Sequence, residues 1–151
     1  MNEKNKEMYH DIDTVKDDVE YLLKNYQQAA MGSMNAGFPE VTKVTPVLFD
    51  DDNIYLLLSD LSSHTKNVRL NNTVTLYFAA EHRHATEMNN ARVTLYGSLE
   101  MLEHRDKDSM LKEFDKRDKG ASFYGNFGDF NVWKFVEKDR LYVEGFGKAY
   151  K

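Results

Sequence analysis

Lys43-Val44-Thr45-Pro46-Val47-Leu48-Phe49 runs through the acidic turn Asp50-Asp51-Asp52-Asn53 into Ile54-Tyr55-Leu56-Leu57-Leu58, and then into Ser59-Asp60-Leu61-Ser62-Ser63-His64-Thr65-Lys66-Asn67. The first run is rich in β-formers but broken by Pro46, which has no N–H for a ladder bond, so this strand lies at an edge or bulges there. Ile54 to Leu58 shows no polar alternation, the pattern of a strand covered on both faces. Ser62 or Ser63 then opens a helix as its N-cap. A buried strand feeding a helix N-terminus presents N–H groups and a lysine at the end of a sheet, a setting that suits an anionic group. An ordinary Ser-capped helix with solvated charges is the plain alternative.

Upstream, Ile12, Val15, Val19, Leu22, Leu23 and Tyr26 recur at helical spacing, with Asp11 or Asp13 to cap the helix. A short strand over Met31 to Asn35 turns at Gly37 and returns through Val41 to Phe49. Downstream, a short helix over Thr65 to Leu70 precedes a strand from Thr73 to Ala80, a polar loop from Glu81 to Asn90, and a strand from Arg92 to Leu102. Gly97 inside that strand lets a neighbouring backbone come close. A charged helix from Asp106 to Lys119 buries Met110, Leu111 and Phe114 and stops at Gly120. After an aromatic–glycine segment from Phe123 to Phe130, a hairpin is expected: Val132 to Val136, a turn at Lys138-Asp139, and Leu141 to Tyr150. Six or seven strands with few helices predict a mainly β protein, a small antiparallel barrel with peripheral helices. One domain is expected over 9–151, after a disordered stretch over 1–8.

The bulk composition removes several function classes. A net charge of −5 over 151 residues, with no basic stripe, argues against nucleic acid as a partner. The absence of cysteine excludes disulfides, thiolate metal sites, iron–sulfur clusters and cysteine nucleophiles. No apolar run approaches the roughly 18–20 residues of a spanning helix, and Met1 to Met8 is polar, without the core of a secretory signal. A cytoplasmic protein with no membrane insertion is expected.

Three segments in order carry a family resemblance: Pro46 through Asp52 before Ile54-Tyr55-Leu56; His64-Thr65-Lys66-Asn67; and Tyr142-Val143-Glu144-Gly145-Phe146-Gly147-Lys148-Ala149-Tyr150. Together they resemble the flavin-binding split-barrel superfamily typified by pyridoxamine 5′-phosphate oxidase, and within it the heme-utilisation branch of the HugZ/HutZ type. The resemblance implies a six-stranded antiparallel Greek-key split barrel that forms a homodimer, with two equivalent cofactor clefts between the subunits. It implies heme as the cofactor, with FMN as the alternative. In the oxidases, basic residues matching Lys66 and Arg92 serve the flavin phosphate. Heme-branch relatives extend past the Gly-Phe-Gly segment, and a histidine in that tail ligates iron. Here no histidine follows His104, so the ligand is expected elsewhere in the chain, or heme binding is weak.

The candidate residues follow. Ser62 and Ser63, with Lys66, Arg69, Lys43 and Arg92, are candidates to hold a propionate or phosphate. His104 and His64 are the candidates for the iron ligand. His82 and His84 could face one way and chelate a divalent metal, but a zinc site needs at least a third protein ligand. Asp50, Asp51 and Asp52 lack calcium-loop spacing and suit a turn. Phe123, Tyr124, Phe127 and Phe130 suit packing, or a lid over a flat ring. Three functions are open: heme binding with oxygen-dependent breakdown fed by an external electron donor, in the service of iron acquisition; an FMN-dependent oxidoreductase; and a non-catalytic heme carrier.

Overall fold

The computed structural model describes residues 8–151, so the expectation of a disordered 1–8 lies, Met8 apart, outside the described residues. Asp11 starts the first helical segment: its Oδ1 accepts the N–H of Asp13 at 3.0 Å, and a 3-10 turn over Ile12–Val15 leads into α1 (Lys16–Asn25). Val19, Leu22 and Leu23 of α1 are buried, as their spacing predicts.

The strands are β1 (Gln28–Asn35), β2 (Phe38–Val44), β3 (Val47–Leu48), β4 (Ile54–Ser59), β5 (Thr73–Ala79), β6 (Arg92–Met101), β7 (Phe130–Gly145) and β8 (Lys148–Tyr150). All pairs within the sheet are antiparallel, in the order β2-β1-β5-β6-β7-β4-β3, with β8 added on β7. The expected six-stranded barrel is therefore corrected to eight strands in an unclosed sheet. Six of them are long; β3 has two residues and β8 three. Pro46 separates β3 from β2, since it can donate no ladder bond, and its carbonyl instead accepts the hydroxyl of buried Tyr26 at 2.7 Å. β2 and β3 are left as the two ends of the sheet order.

The helices are peripheral: α1, α2 (Ser63–Leu70), α3 (His104–Asp115) and α4 (Ala121–Tyr124). Two apolar clusters result. The larger packs on one face of the sheet with Met31, Leu56, Leu76, Phe78, Val93, Leu95 and Trp133, together with residues of α1 and α2. The smaller lies on the other side of β4 and β7, where Tyr55 and Val132 meet Phe114 and Ala121 of α3 and α4. Burial on both faces accounts for the uninterrupted apolar run of β4. Among the described residues, no helix is long and apolar enough to cross a membrane.

The C-terminal hairpin differs from expectation. Lys138-Asp139 is not a turn: β7 runs unbroken for 16 residues. Tyr96 pairs with Asp139 and Gly97 with Glu137, so Lys138 is the extra residue of a β-bulge. The reversal comes later, between Gly145 and Lys148, where Gly147 has φ +81. Gly97 does admit a close neighbour: a Cβ there would sit 2.1 Å from the Val136 carbonyl oxygen.

Candidate functional site

Antiparallel register sets the side-chain geometry at the start of α2. β1 and β2 form a hairpin in which Ser33 pairs with Glu40 and Met31 with Thr42. Alternation along β2 then turns Glu40, Thr42 and Val44 inward and Pro39, Val41 and Lys43 outward. α2 packs against this inner side. Ser62 is its N-cap but makes no side-chain cap bond. Ser63 donates its hydroxyl to Glu40 Oε1 at 2.6 Å. The Nδ2 groups of Asn67 and Asn35 donate to Glu40 Oε2 at 3.0 and 2.9 Å, and Asn67, buried, also donates to Ser33 Oγ at 3.0 Å. Ser63 foremost, then Asn67 and Asn35, hold the Glu40 carboxyl below the usual carboxylate range. The anion at this helix start is a side chain of the protein itself.

His64 stands next to this carboxylate. Its Nδ1 lies 2.7 Å from Thr42 Oγ1, and the ring is half-buried. Burial lowers its pKa, with the Glu40 charge pulling weakly the other way, so the neutral imidazole is favoured near pH 7. With Nδ1 engaged, Nε2 is the nitrogen left for a ligand.

The other expected residues scatter. Arg69 donates to Asp60 Oδ1 at 2.7 Å and lies 5.8 Å from the ring centroid of Trp133. Lys66 is exposed on α2. Lys43 points to the outer face of the sheet, opposite to Glu40. Arg92 shares that outer face but sits on β6, paired with Ala79 and Val143; its Nη1 donates to the carbonyls of Met88 and Asn90 at 2.9 and 3.3 Å. His104 opens α3 as an exposed residue, remote in sequence and element from α2. The chain thus gathers Ser63 and His64 about Glu40, and leaves Lys43, Arg92 and His104 on other surfaces. Of the histidine pair, His82 Nε2 contacts Glu87 at 2.9 Å, and no cluster of three metal-ligating side chains exists among the described residues. Tyr124 and Phe130 meet as tilted rings with centroids 5.0 Å apart beside the smaller cluster, whereas Phe123 and Phe127 pair edge to face at the surface.

Two concavities bear on these groups, beside a third of about 580 Å³ that opens at Arg69 and Trp133. The larger, about 670 Å³, opens between α1, the 81–91 loop, β3 and the end of α3, and none of the eight expected residues lines it. Its four lysine and arginine cations are occupied by neighbours: Lys24 by Glu20 at 3.0 Å, Arg83 by Glu81 at 4.0 Å, Lys116 by Glu113 at 2.9 Å, and Arg117 with its guanidinium carbon 3.5 Å from the Tyr26 ring centroid. The second, about 390 Å³, is an apolar groove on the outer face lined by Ala30, Gly32, Met34, Val41, Thr75 and Tyr77. Glu40, Thr42, Asn35 and Asn67 were missed by sequence reasoning. The signal for Glu40 and Thr42 was present, since they alternate with Val44 along β2, but the partner helix that gives them meaning is not legible locally.

A model of the CREG β-barrel matches residues 15–151. The chain belongs to the CREG β-barrel family. No curated protein matches it in sequence. Among solved structures, this CREG-family chain is similar to Campylobacter jejuni ChuZ (TM-score 0.81, 21% identity, covering 94% of this chain and 60% of that one). It is similar to a heme-binding protein from Mycobacterium smegmatis (TM-score 0.74, 22% identity, 84% and 52% covered), and to the heme storage protein HutZ of Vibrio cholerae (TM-score 0.70, 15% identity, 82% and 90% covered). The chain spans about half the length of the mycobacterial protein. At these identities the likeness is one of fold.

Proposed function

We propose that this CREG-family chain binds heme in a crevice between two copies of itself, with His64 as the iron ligand. The observation that carries the proposal is the state of His64: a half-buried imidazole, kept neutral, with one nitrogen held by Thr42 and Nε2 without a partner among the described residues. That is how proteins prepare a metal-ligating histidine. The fold is shared with two proteins described as binding or storing heme. Ser63 and Arg69 are already bonded to carboxylates, so Lys66, on the same helix as His64, is the cation assigned to a propionate, while Lys43 and Arg92 belong to the outer face that the second copy covers. The apolar groove on the outer face supplies the surface for the second copy. A bound heme supplies redox-active iron; the chain's own part is to ligate, orient and shield.

Hemin titration of untagged protein tests this. A sharp Soret band should appear, shift or weaken in His64→Ala, and persist in His104→Ala. An unchanged spectrum in His64→Ala overturns the ligand assignment. Loss of the band under ascorbate with catalase present marks oxygen-dependent ring opening by the protein; a band that survives marks a carrier.

A further inference from the structure

We infer that Glu40 denies the start of α2 to a phosphate group, and so sets this chain against FMN. The inference goes beyond heme binding and holds whether or not heme binds. It rests on how completely the carboxylate is engaged. Both of its oxygens accept hydrogen bonds: Oε1 from Ser63 at 2.6 Å, and Oε2 from Asn67 at 3.0 Å and Asn35 at 2.9 Å. The three donors come from three places: the end of β1, the first turn of α2 and its second turn. Asn67 has no N–H to spare, because its amide also serves Ser33. A phosphate arriving here must therefore take Ser63 and Asn67 from a partner that already satisfies them.

The charge balance points the same way. A phosphate monoester carries about −1.5 to −2 near neutral pH, and it would come to rest beside a carboxylate that hydrogen bonding keeps ionised. Neighbouring groups do not offset that pair. Arg69 is held by Asp60, His64 is favoured as the neutral ring, and Lys43 leaves β2 on the opposite face. Lys66 brings one positive charge on the exposed side of the same helix. Like charges a few ångströms apart repel, so the resident carboxylate acts as a selectivity element against phosphate-bearing ligands.

Titrating FMN and riboflavin into the full untagged chain, read by flavin fluorescence, isolates the phosphate, since the two ligands share the ring. The wild type should bind FMN no better than riboflavin. Glu40→Gln, close in shape and neutral, should bind FMN about tenfold more tightly than the wild type does, with riboflavin unchanged and inorganic phosphate competing. Ser63→Ala loses a hydrogen bond but keeps the charge, and should gain nothing. Glu40→Ala removes the charge by a second route, with the same expected gain. A wild type that already prefers FMN, neutral variants that gain nothing or gain equally for both flavins, or a gain in Ser63→Ala would each overturn the inference. Hemin titration of the same samples reports separately: its failure removes the heme proposal and leaves the flavin comparison to decide this one.

Discussion

His64 and Glu40 are two residues whose states are set by one shared neighbourhood. Because burial depresses the folded-state pKa of His64, its protonation is resisted in the folded chain. The sign follows: the neutral ring adds to stability above the unfolded histidine value of about 6.5, and that contribution is lost as pH falls through the depressed folded value. A proton and an iron also compete for Nε2. Hemin affinity should accordingly stay flat through about pH 6.5 and fall only on acidification through the depressed folded-state value, measured as half-saturation across a pH series; His64→Ala should flatten the fall. Lys107 is a second residue that sequence alone did not single out. It is 6% exposed, and its ammonium donates to the carbonyls of Phe127 and Phe130 at 3.4 and 3.0 Å. Lys107→Met keeps the stem but strands those carbonyls, and should cost about 1–3 kcal/mol, read from the denaturant midpoint. Neither Glu40 nor Lys107 could be recognised from a local window. Each looks like a surface charge until a distant segment, α2 for one and the aromatic–glycine stretch for the other, is folded against it.

Among the elements, three local readings hold, while the helix expected over Asp106 to Lys119 runs instead from His104 to Asp115. The two-sided burial of β4, the helical stripe of α1 and the close approach at Gly97 each follow from residue type and spacing within a few positions. The turn at Lys138-Asp139 failed because its outcome depends on a partner strand. Polar residues there look like a reversal, yet β6 offers ten residues of ladder, and the bulge opposite Tyr96 and Gly97 absorbs the surplus residue. Gly97 is the weak point of that arrangement. Gly97→Ala places a methyl group against the Val136 carbonyl and the Phe135 ring, and should cost about 1–3 kcal/mol, seen as a lower midpoint with an unchanged denaturant slope. A helix opening at Ser62 or Ser63 was legible locally; that Glu40 is bonded there was not, because Glu40 lies more than twenty residues away and reaches α2 only through the β1–β2 register.

For the molecule as a whole, the outer face of the sheet is the open question of assembly. Val41, 71% exposed, lies with Tyr77 and Met34 around the apolar groove, and Tyr96 continues the exposed aromatic surface on β6. A second copy covering this face would leave Lys43 and Arg92 at the rim of a shared crevice. Sedimentation equilibrium should return the mass of two chains for the wild type and of one for Val41→Glu, with the variant's far-ultraviolet circular dichroism unchanged and its hemin band diminished. A single-chain mass for the wild type would remove the crevice between copies.

The sixteen-residue span of β7 belongs to both apolar clusters at once. Trp133 and Phe135 point into one cluster while Val132, their neighbour on the same backbone, points into the other. Stripping α3 and α4 from their side would bare Val132 and Tyr55 and loosen the common wall on which the larger cluster rests. Melting should therefore proceed in one step, with amide protons of β4 and β7 exchanging only when everything opens together.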